Sequence, residues 1–383
     1  MQLPYSEQLN IGYLSRLFDN TTNCYKFFWF QAILRKLDGI HCRFTFDELI
    51  NEMIADAWYM VTEYHLRLGP LGITDNLEEI VKYIHEYYGF MSSEKREKIL
   101  GFLQGTEDKR IAKYKSDLTL NVPYRLQVPF YDEITIDQSL WKGSKQKLTD
   151  EINRQRRLIY YFVRISGMGT MIEVDALWAD YLLRHKEILK GWTQLRLIRY
   201  LQNKNPSVPG IADKIEAPEH RDIDRVRKYW KLIIQIDSGI RDIYGEVSLA
   251  DENISVDHFV PWQYVAHDEL WNLHPTTRSI NSSKSNSLPS WSMYFPALGE
   301  LEYRAYELMN QNESVAREFQ KIAPYHLNNQ EIRNQLYAEG LDKTSFIERL
   351  EHVIRPVYES AQMLGFQEWV YDGSNNIQQA CEG

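Results

Sequence analysis

The sequence predicts an α+β fold that is mostly helical and contains one small segment of two strands and a helix. Apolar residues recur at helical spacing through most of the 383 residues. Residues 254–260 instead alternate apolar and polar side chains, as strands do. The aromatic share of 13% is spread along the chain, which indicates folded structure rather than long disordered arms.

The N-terminal third predicts a helical region, which we delimit as residues 1–135. Its aromatic residues, such as Trp29, lie at helical spacing and are typical of a packed core. Residues 118–136 differ, because Pro123 and Pro129 stand among alternating apolar residues. That pattern favours extended structure at the end of the region.

Residues 136–236 predict a basic helical region, a candidate for DNA binding or regulation. Between Lys142 and Lys231 there are 19 Lys and Arg residues against 11 Asp and Glu residues, a local net charge of +8. The whole chain carries −9, so the remainder carries −17. Such a local field attracts phosphate, but the same cations can be ordinary solvated helix faces. The sequence leaves both interpretations open.

The remaining segments predict packing helices and a tail. Residues 293–372 form a C-terminal helical segment with a break expected at Pro356, and residues 373–383 form a flexible tail. No apolar run approaches the roughly 18 residues of a membrane span, and the start lacks the features of a signal peptide. We therefore expect a cytoplasmic protein that does not contact membranes.

The three cysteines, Cys24, Cys42 and Cys381, form no C-x-x-C pair. Thiolate zinc sites are usually built from such pairs. We therefore expect no structural zinc.

One window, which we assign to a domain of residues 237–292, carries the candidate chemistry. A strand over residues 254–260 is followed by a polar connector, a second extended piece at Asn272-Leu273 and a helix that Thr277 can cap. The candidate side chains are Asp257, His258, Asn272, Arg278, Asn281 and Lys284. The predicted order is strand, loop, strand, helix.

These residue types suit phosphodiester hydrolysis. The Asp257 carboxylate and the Asn281 amide oxygen are ligands that a hard divalent cation prefers. An unperturbed histidine has a pKa of about 6.5, which suits proton removal at neutral pH, so His258 is the candidate general base. Lys284 and Arg278 can reach phosphate from a helix. Neighbouring strand residues point to opposite faces, so we expect the strand to twist or bulge where Asp257 and His258 meet the site.

The pattern resembles the HNH, or ββα-metal, nuclease family. It is similar to the HNH domain of RNA-guided CRISPR effectors, where Val-Asp-His also precedes an Asn and an Asn-x-x-Lys helix, and to bacterial HNH endonuclease-domain proteins with a long helical N-terminal region. The runs that carry the likeness are Asp257-His258-Phe259-Val260-Pro261-Trp262, Trp271-Asn272-Leu273 and Asn281-Ser282-Ser283-Lys284-Ser285. The specific resemblance covers residues 242–289, and a looser one extends over much of the chain.

The resemblance implies hydrolysis of DNA with Mg²⁺ or Mn²⁺, leaving 5′-phosphate and 3′-hydroxyl ends. In it, Asn272 holds the hairpin and orients His258. A stand-alone bacterial HNH protein of this size suggests restriction or anti-phage defence by analogy, and double-strand cutting would favour a homodimer. Two alternatives stay open: a nucleic-acid-binding module with weak or lost catalysis, and a regulatory defence component whose nuclease acts only with a partner or activating ligand.

Overall fold

The protein forms two compact units, Met1–Ala217 and Pro218–Gly383. The computed structural model describes residues 2–70, 72–131, 136, 138–155, 157–206, 208, 210–216, 223–250 and 254–372. Helices dominate both units and the sheets are small, which confirms the predicted α+β, mostly helical class. The expected tail, 373–383, lies outside the described residues.

The boundary between the units falls inside the segment 136–236 that the sequence marked as one basic region. The helices of that segment before residue 205 belong to the first unit, and its last helix belongs to the second. The segments 237–292 and 293–372 lie together in the second unit. Among the described residues, no helix is both long enough and apolar enough to cross a membrane.

The first unit is built around long amphipathic helices. The helices described in it are α1 Ile11–Ser15, α2 Tyr25–Lys36, α3 Phe46–Thr62, α4 Asn76–Tyr88, α5 Arg96–Gly105, α6 Lys109–Leu118, α7 Val122–Arg125, α8 Gln138–Lys142, α9 Lys145–Asn153, α10 Ala176–Arg184 and α11 Lys186–Lys204. Helix α3 begins in a capping box, in which Thr45 and Glu48 satisfy each other's backbone N–H groups. Its buried face packs against α2 and α4.

A three-stranded antiparallel sheet accompanies these helices. Its strands are β1 Arg43–Thr45, β2 Tyr160–Arg164 and β3 Met171–Val174, in the order β1-β3-β2. Only five of the twelve strand residues are buried, which is the alternation of a sheet with one covered face.

The extended structure expected for residues 118–136 is wrong. The described part of that segment holds helix α7 and the 3-10 helix Val128–Tyr131. Pro123 lies in the first turn of α7. Backbone N–H groups there have no acceptor within the helix, so the missing N–H of proline costs no helical hydrogen bond. Proline there starts a helix instead of preventing one.

The second unit surrounds a two-stranded hairpin with helices. Its described helices are α12 Ile223–Ile236, α13 Trp262–Val265, α14 Arg278–Lys284, α15 Trp291–Gln311, α16 Glu313–His326, α17 Gln330–Leu336 and α18 Lys343–Met363. Its strands are β4 Ile254–His258, β5 Leu273–Thr277, β6 Leu288–Pro289 and β7 Glu368–Trp369. Strands β4 and β5 pair antiparallel, and β6 and β7 pair parallel.

The C-terminal helices pack on the hairpin through one apolar core. Phe259, which follows β4, contacts the rings of Trp291, Phe295 and Tyr358 on α15 and α18. The break expected at Pro356 is wrong, because α18 runs through it. Buried side chains on both sides of the proline, including Ile354 and Tyr358, hold the helix in place.

Candidate functional site

The hairpin carries the site and is buried on both faces. Its register pairs Asp257 with His274 and His258 with Leu273, without a shift. Helices α12 and α14 both contact the two strands, and eight of the ten strand residues are buried. The predicted order of strand, loop, strand and helix is confirmed, and Thr277 caps α14 by accepting the N–H of Ile280 at 3.3 Å.

Asp257 lies inside the protein among hydrogen-bond donors. The Lys284 ammonium lies 3.2 Å from its Oδ1 and 3.1 Å from its Oδ2. The Tyr244 hydroxyl donates to Oδ2 at 2.9 Å. Nε2 of His274, on the opposite strand, is 3.8 Å from the same oxygen. A buried carboxylate needs such partners to stay charged.

Burial controls the protonation of these partners. Burial lowers the pKa of Lys284, while the Asp257 carboxylate opposes the shift. Burial also lowers the pKa of His274 to about 3, so its ring is neutral at pH 7. Neither ring nitrogen of His274 has a hydrogen-bond partner among the described residues. The site therefore contains a neutral imidazole with lone-pair density beside a carboxylate.

His258 follows Asp257 and is the last residue of β4. Strand β4 stays in register with β5 to its last residue, so it contains no bulge there, and the twist that was the other expectation stays a prediction. The Nε2 atom of His258 lies 2.8 Å from Oδ1 of Asp268, and the two side chains are 8% and 12% exposed. The indole of Trp262 meets the His258 ring edge-on at 5.5 Å. His258 is thus held in one orientation.

Asn272 clamps the chain directly after His258. Its Oδ1 accepts the Val260 N–H at 2.7 Å and its Nδ2 donates to the Val260 carbonyl at 2.9 Å. Its own carbonyl accepts the N–H of Phe259 at 2.9 Å. The side chain is fully buried. This is the geometry of a residue that fixes where β4 ends.

Helix α14 brings Asn281 and Lys284 to β4 and leaves Arg278 exposed. Asn281 Nδ2 donates to the Ser255 hydroxyl at 2.9 Å and to the Val256 carbonyl at 3.2 Å. Lys284, expected to face phosphate, is 1% exposed and donates to Asp257 and to the His258 carbonyl. It follows Asn281 by three positions, so both side chains lie on the helix face that covers the strand.

The oxygen and nitrogen atoms around Asp257 are of the types that bind a divalent cation. Within the described residues no cluster of three His, Cys, Asp or Glu side chains has metal-binding geometry. Among the described residues, the candidate ligands are the Asp257 carboxylate, the amide oxygen of Asn281 and the neutral His274 ring, which has no hydrogen-bond partner among them. The carboxylate already contacts one cation, the Lys284 ammonium, at 3.1 Å. A metal ion there would have to share the Asp257 carboxylate with the Lys284 ammonium or displace the ammonium.

Two site residues have no signal in the sequence. Asp268 stands in the connector between the strands, ten residues after His258, at no recognisable spacing. His326 donates from Nδ1 to the Asp268 carbonyl at 2.7 Å across 58 positions of sequence. Only the fold brings these groups to His258.

The geometry defines a strand–strand–helix unit with a histidine and an aspartate at the end of its first strand. Residues 244–290 match the family model described as HNH endonuclease. This match confirms the HNH resemblance for that segment, which is an HNH domain of the nuclease type. Searches of the curated proteins and of the solved structures gave no match for the chain.

Some cations of the basic segment lie in local ion pairs. On α10 and α11, Arg184 pairs with Asp180 and Lys190 with Glu187, both on the same helix. Lys214 is buried. The two ion pairs are typical of solvated helix faces, and both interpretations of the segment stay open.

Proposed function

We propose that this protein is a metal-dependent endonuclease that hydrolyses DNA phosphodiester bonds at the HNH hairpin. The observation that carries the proposal is the convergence of Asp257, Asn281 and Lys284 on one face of β4, inside the segment that matches HNH endonucleases. His258 ends the same strand. This combination supplies an anionic metal ligand and a base within two adjacent residues.

His258 is the proposed general base. A ring whose Nε2–H donates to Asp268 carries its lone pair on Nδ1, so Nδ1 would take the proton from the attacking water. Asn272 fixes the end of the strand and so the position of the ring. Contacts within the hairpin and its connector support both roles.

Asp257 and the Asn281 amide oxygen are the proposed ligands of Mg²⁺ or Mn²⁺. When bound, the ion would stabilise the charge that develops on the phosphate and the departing oxygen. Lys284 is the counter-ion of Asp257 and takes no phosphate role in this proposal. Arg278, exposed at the start of α14, is the proposed phosphate contact.

A role in bacterial restriction or anti-phage defence, and a homodimer that cuts both strands, extend the proposal by analogy with the family. The first unit, of 217 residues, lies outside the HNH match. It is therefore the candidate region for binding a partner or an activating ligand. This leaves open the alternative of a regulatory protein whose nuclease acts only when one of them is bound.

Cleavage of supercoiled plasmid by the purified chain tests the proposal. The assay uses Mg²⁺ or Mn²⁺, an EDTA control and the His258→Ala variant. We expect nicked or linear DNA from the wild type, and rates lower by about 10²- to 10⁴-fold in the variant, because it lacks a general base. Cleavage that persists at the wild-type rate in His258→Ala would overturn the assignment of the base. A parallel RNA substrate decides between the two nucleic acids.

A further inference from the structure

The connector between β4 and β5 is fixed by residues far away in the sequence. Asp268 and Glu269 are its last residues before the 3-10 turn at Leu270–Asn272. Asp268 lies against His258, as described above. The backbone and side chain of this short segment bind the end of helix α16 at two places.

The first contact is from His326, the last residue of α16. This ring is 3% exposed, and its Nδ1 lies 2.7 Å from the Asp268 carbonyl, so Nδ1–H donates. The second contact is from Asn328, two residues later. Its backbone N–H and its Nδ2 donate to Glu269 Oε1 at 3.1 Å and 2.8 Å. The Glu269 side chain is buried, so these bonds are shielded from water.

Helix α16 is itself held by the core of the second unit. It packs against α12 and α15, and its Val315 and Ile322 are fully buried. The end of α16 is therefore a rigid support for the connector. A proton-accepting ring must stay within a few tenths of an ångström of its working position.

We propose that Asp268 is a positioning residue that orients His258 for proton abstraction, and that His326 and Asn328 hold Asp268 in place. The hydrogen bond from Nε2–H to Asp268 selects one tautomer of the His258 ring, and the anchors from α16 fix the ring plane. The C-terminal helical segment thereby forms part of the active site. This inference rests on the proposed function, since it concerns the base of that reaction.

The experiment uses the full chain and two readouts. The first is the ¹⁵N spectrum of histidine-labelled protein, in which the His258 signals are assigned by their loss in His258→Ala. The second is kcat and KM on a labelled DNA duplex with Mn²⁺. The variants are Asp268→Ala, His326→Leu and His326→Asn, whose amide replaces the Nδ1 donor. The control is His352→Leu, since His352 is exposed on α18.

We expect Asp268→Ala to abolish the Nε2–H tautomer signal of His258 and to lower kcat about 10- to 100-fold with little change in KM. His326→Leu should reduce the Nε2–H tautomer signal of His258 and lower kcat. His326→Asn should restore both, and His352→Leu should match the wild type.

An unchanged tautomer signal or an unchanged kcat in Asp268→Ala would each overturn the proposal. A His326→Asn variant as impaired as His326→Leu would overturn the role of the anchor. If the wild type cuts no nucleic acid, the proposed function fails, and the ¹⁵N spectrum still decides whether Asp268 sets the tautomer of His258.

Discussion

Each of the two units contains a buried asparagine whose side-chain amide binds both backbone groups of another residue. We call this arrangement an amide clamp. In the second unit, Asn272 binds both backbone groups of Val260 through its side chain. In the first unit, the buried Asn205 binds both backbone groups of Arg67 in the same way, at 2.8 Å and 2.9 Å. The clamp is a general device for fixing a chain segment. What distinguishes Asn272 is that its segment follows His258.

A buried lysine in each unit gives a second comparison. Lys284 in the second unit and Lys115 in the first each donate to one aspartate and one backbone carbonyl. The side chain of Asp47, the partner of Lys115, is 39% exposed, whereas that of Asp257 is 5% exposed. A solvated carboxylate can lose its lysine at little cost, and a buried one cannot. The lysine–aspartate pair of the second unit is therefore buried on both sides, whereas that of the first unit is open to solvent at Asp47.

The largest expected effect comes from removing these lysines. Lys284→Met leaves the Asp257 carboxylate buried without its counter-ion and should cost about 3–5 kcal/mol of unfolding free energy. Lys115→Met should cost about 1–2 kcal/mol, mainly for the carbonyl it leaves unpaired. Urea unfolding combined with hydrogen exchange assigns each loss to its unit. Equal losses would contradict the contrast between the two carboxylates.

The same variant tests the metal assignment without an activity assay. If Asp257 binds Mn²⁺, the ion should stabilise Lys284→Met more than the wild type, because it replaces the missing positive charge. The double variant Asp257→Asn with Lys284→Met should lose that response. A response to Mn²⁺ that survives in the double variant would place the ion elsewhere.

The amide clamps predict a smaller effect on stability and a clear one on activity. Asn272→Ala and Asn205→Ala should each cost about 1–3 kcal/mol, because each leaves buried backbone groups unpaired. Only Asn272→Ala should lower kcat for DNA cleavage, since only this clamp fixes the position of His258. The measurement pairs urea unfolding with single-turnover cleavage. Loss of cleavage in both variants would mean that activity follows overall stability.

The smallest expected effect concerns a buried acid. Glu302 on α15 has an Oε1 without a hydrogen-bond partner among the described residues, and burial raises its pKa well above the usual 4.5. In the first unit the buried Asp56 instead pairs with Arg35 and Arg96. A carboxyl whose pKa is raised by folding stabilises the fold below pH 4.5, and this contribution is lost as pH rises towards the folded pKa.

Glu302→Gln should therefore remove a fall in stability with rising pH that begins above pH 4.5 and reaches at most about 1.4 kcal/mol per pH unit. Measurements at pH 5 and pH 6 sample it. Thermal unfolding across that range, with the exposed Glu300→Gln as control, checks the slope. We expect the advantage of Glu302→Gln over the wild type to grow with pH. An advantage that is flat with pH would mean that Glu302 is charged in the folded state.

The sequence predicted the hairpin well because its signals are local. The alternation around Asp257 and the capping threonine at position 277 depend on neighbours a few residues apart, and both agree with the structure. The proline-based predictions at Pro123 and Pro356 failed for a related reason. Whether a proline starts, breaks or joins a helix depends on its position in the turn and on packing.

What the sequence by itself determined is the family of one segment: an HNH motif that contains Asp257, His258, Asn272 and Asn281 in the expected order. The tertiary structure decided which groups those residues meet. Lys284 became a buried counter-ion because α14 lies across β4, and Asp268 and His326 joined the site through contacts up to 58 residues apart. Spacing along a chain encodes local geometry, whereas partners of this kind depend on how distant helices pack.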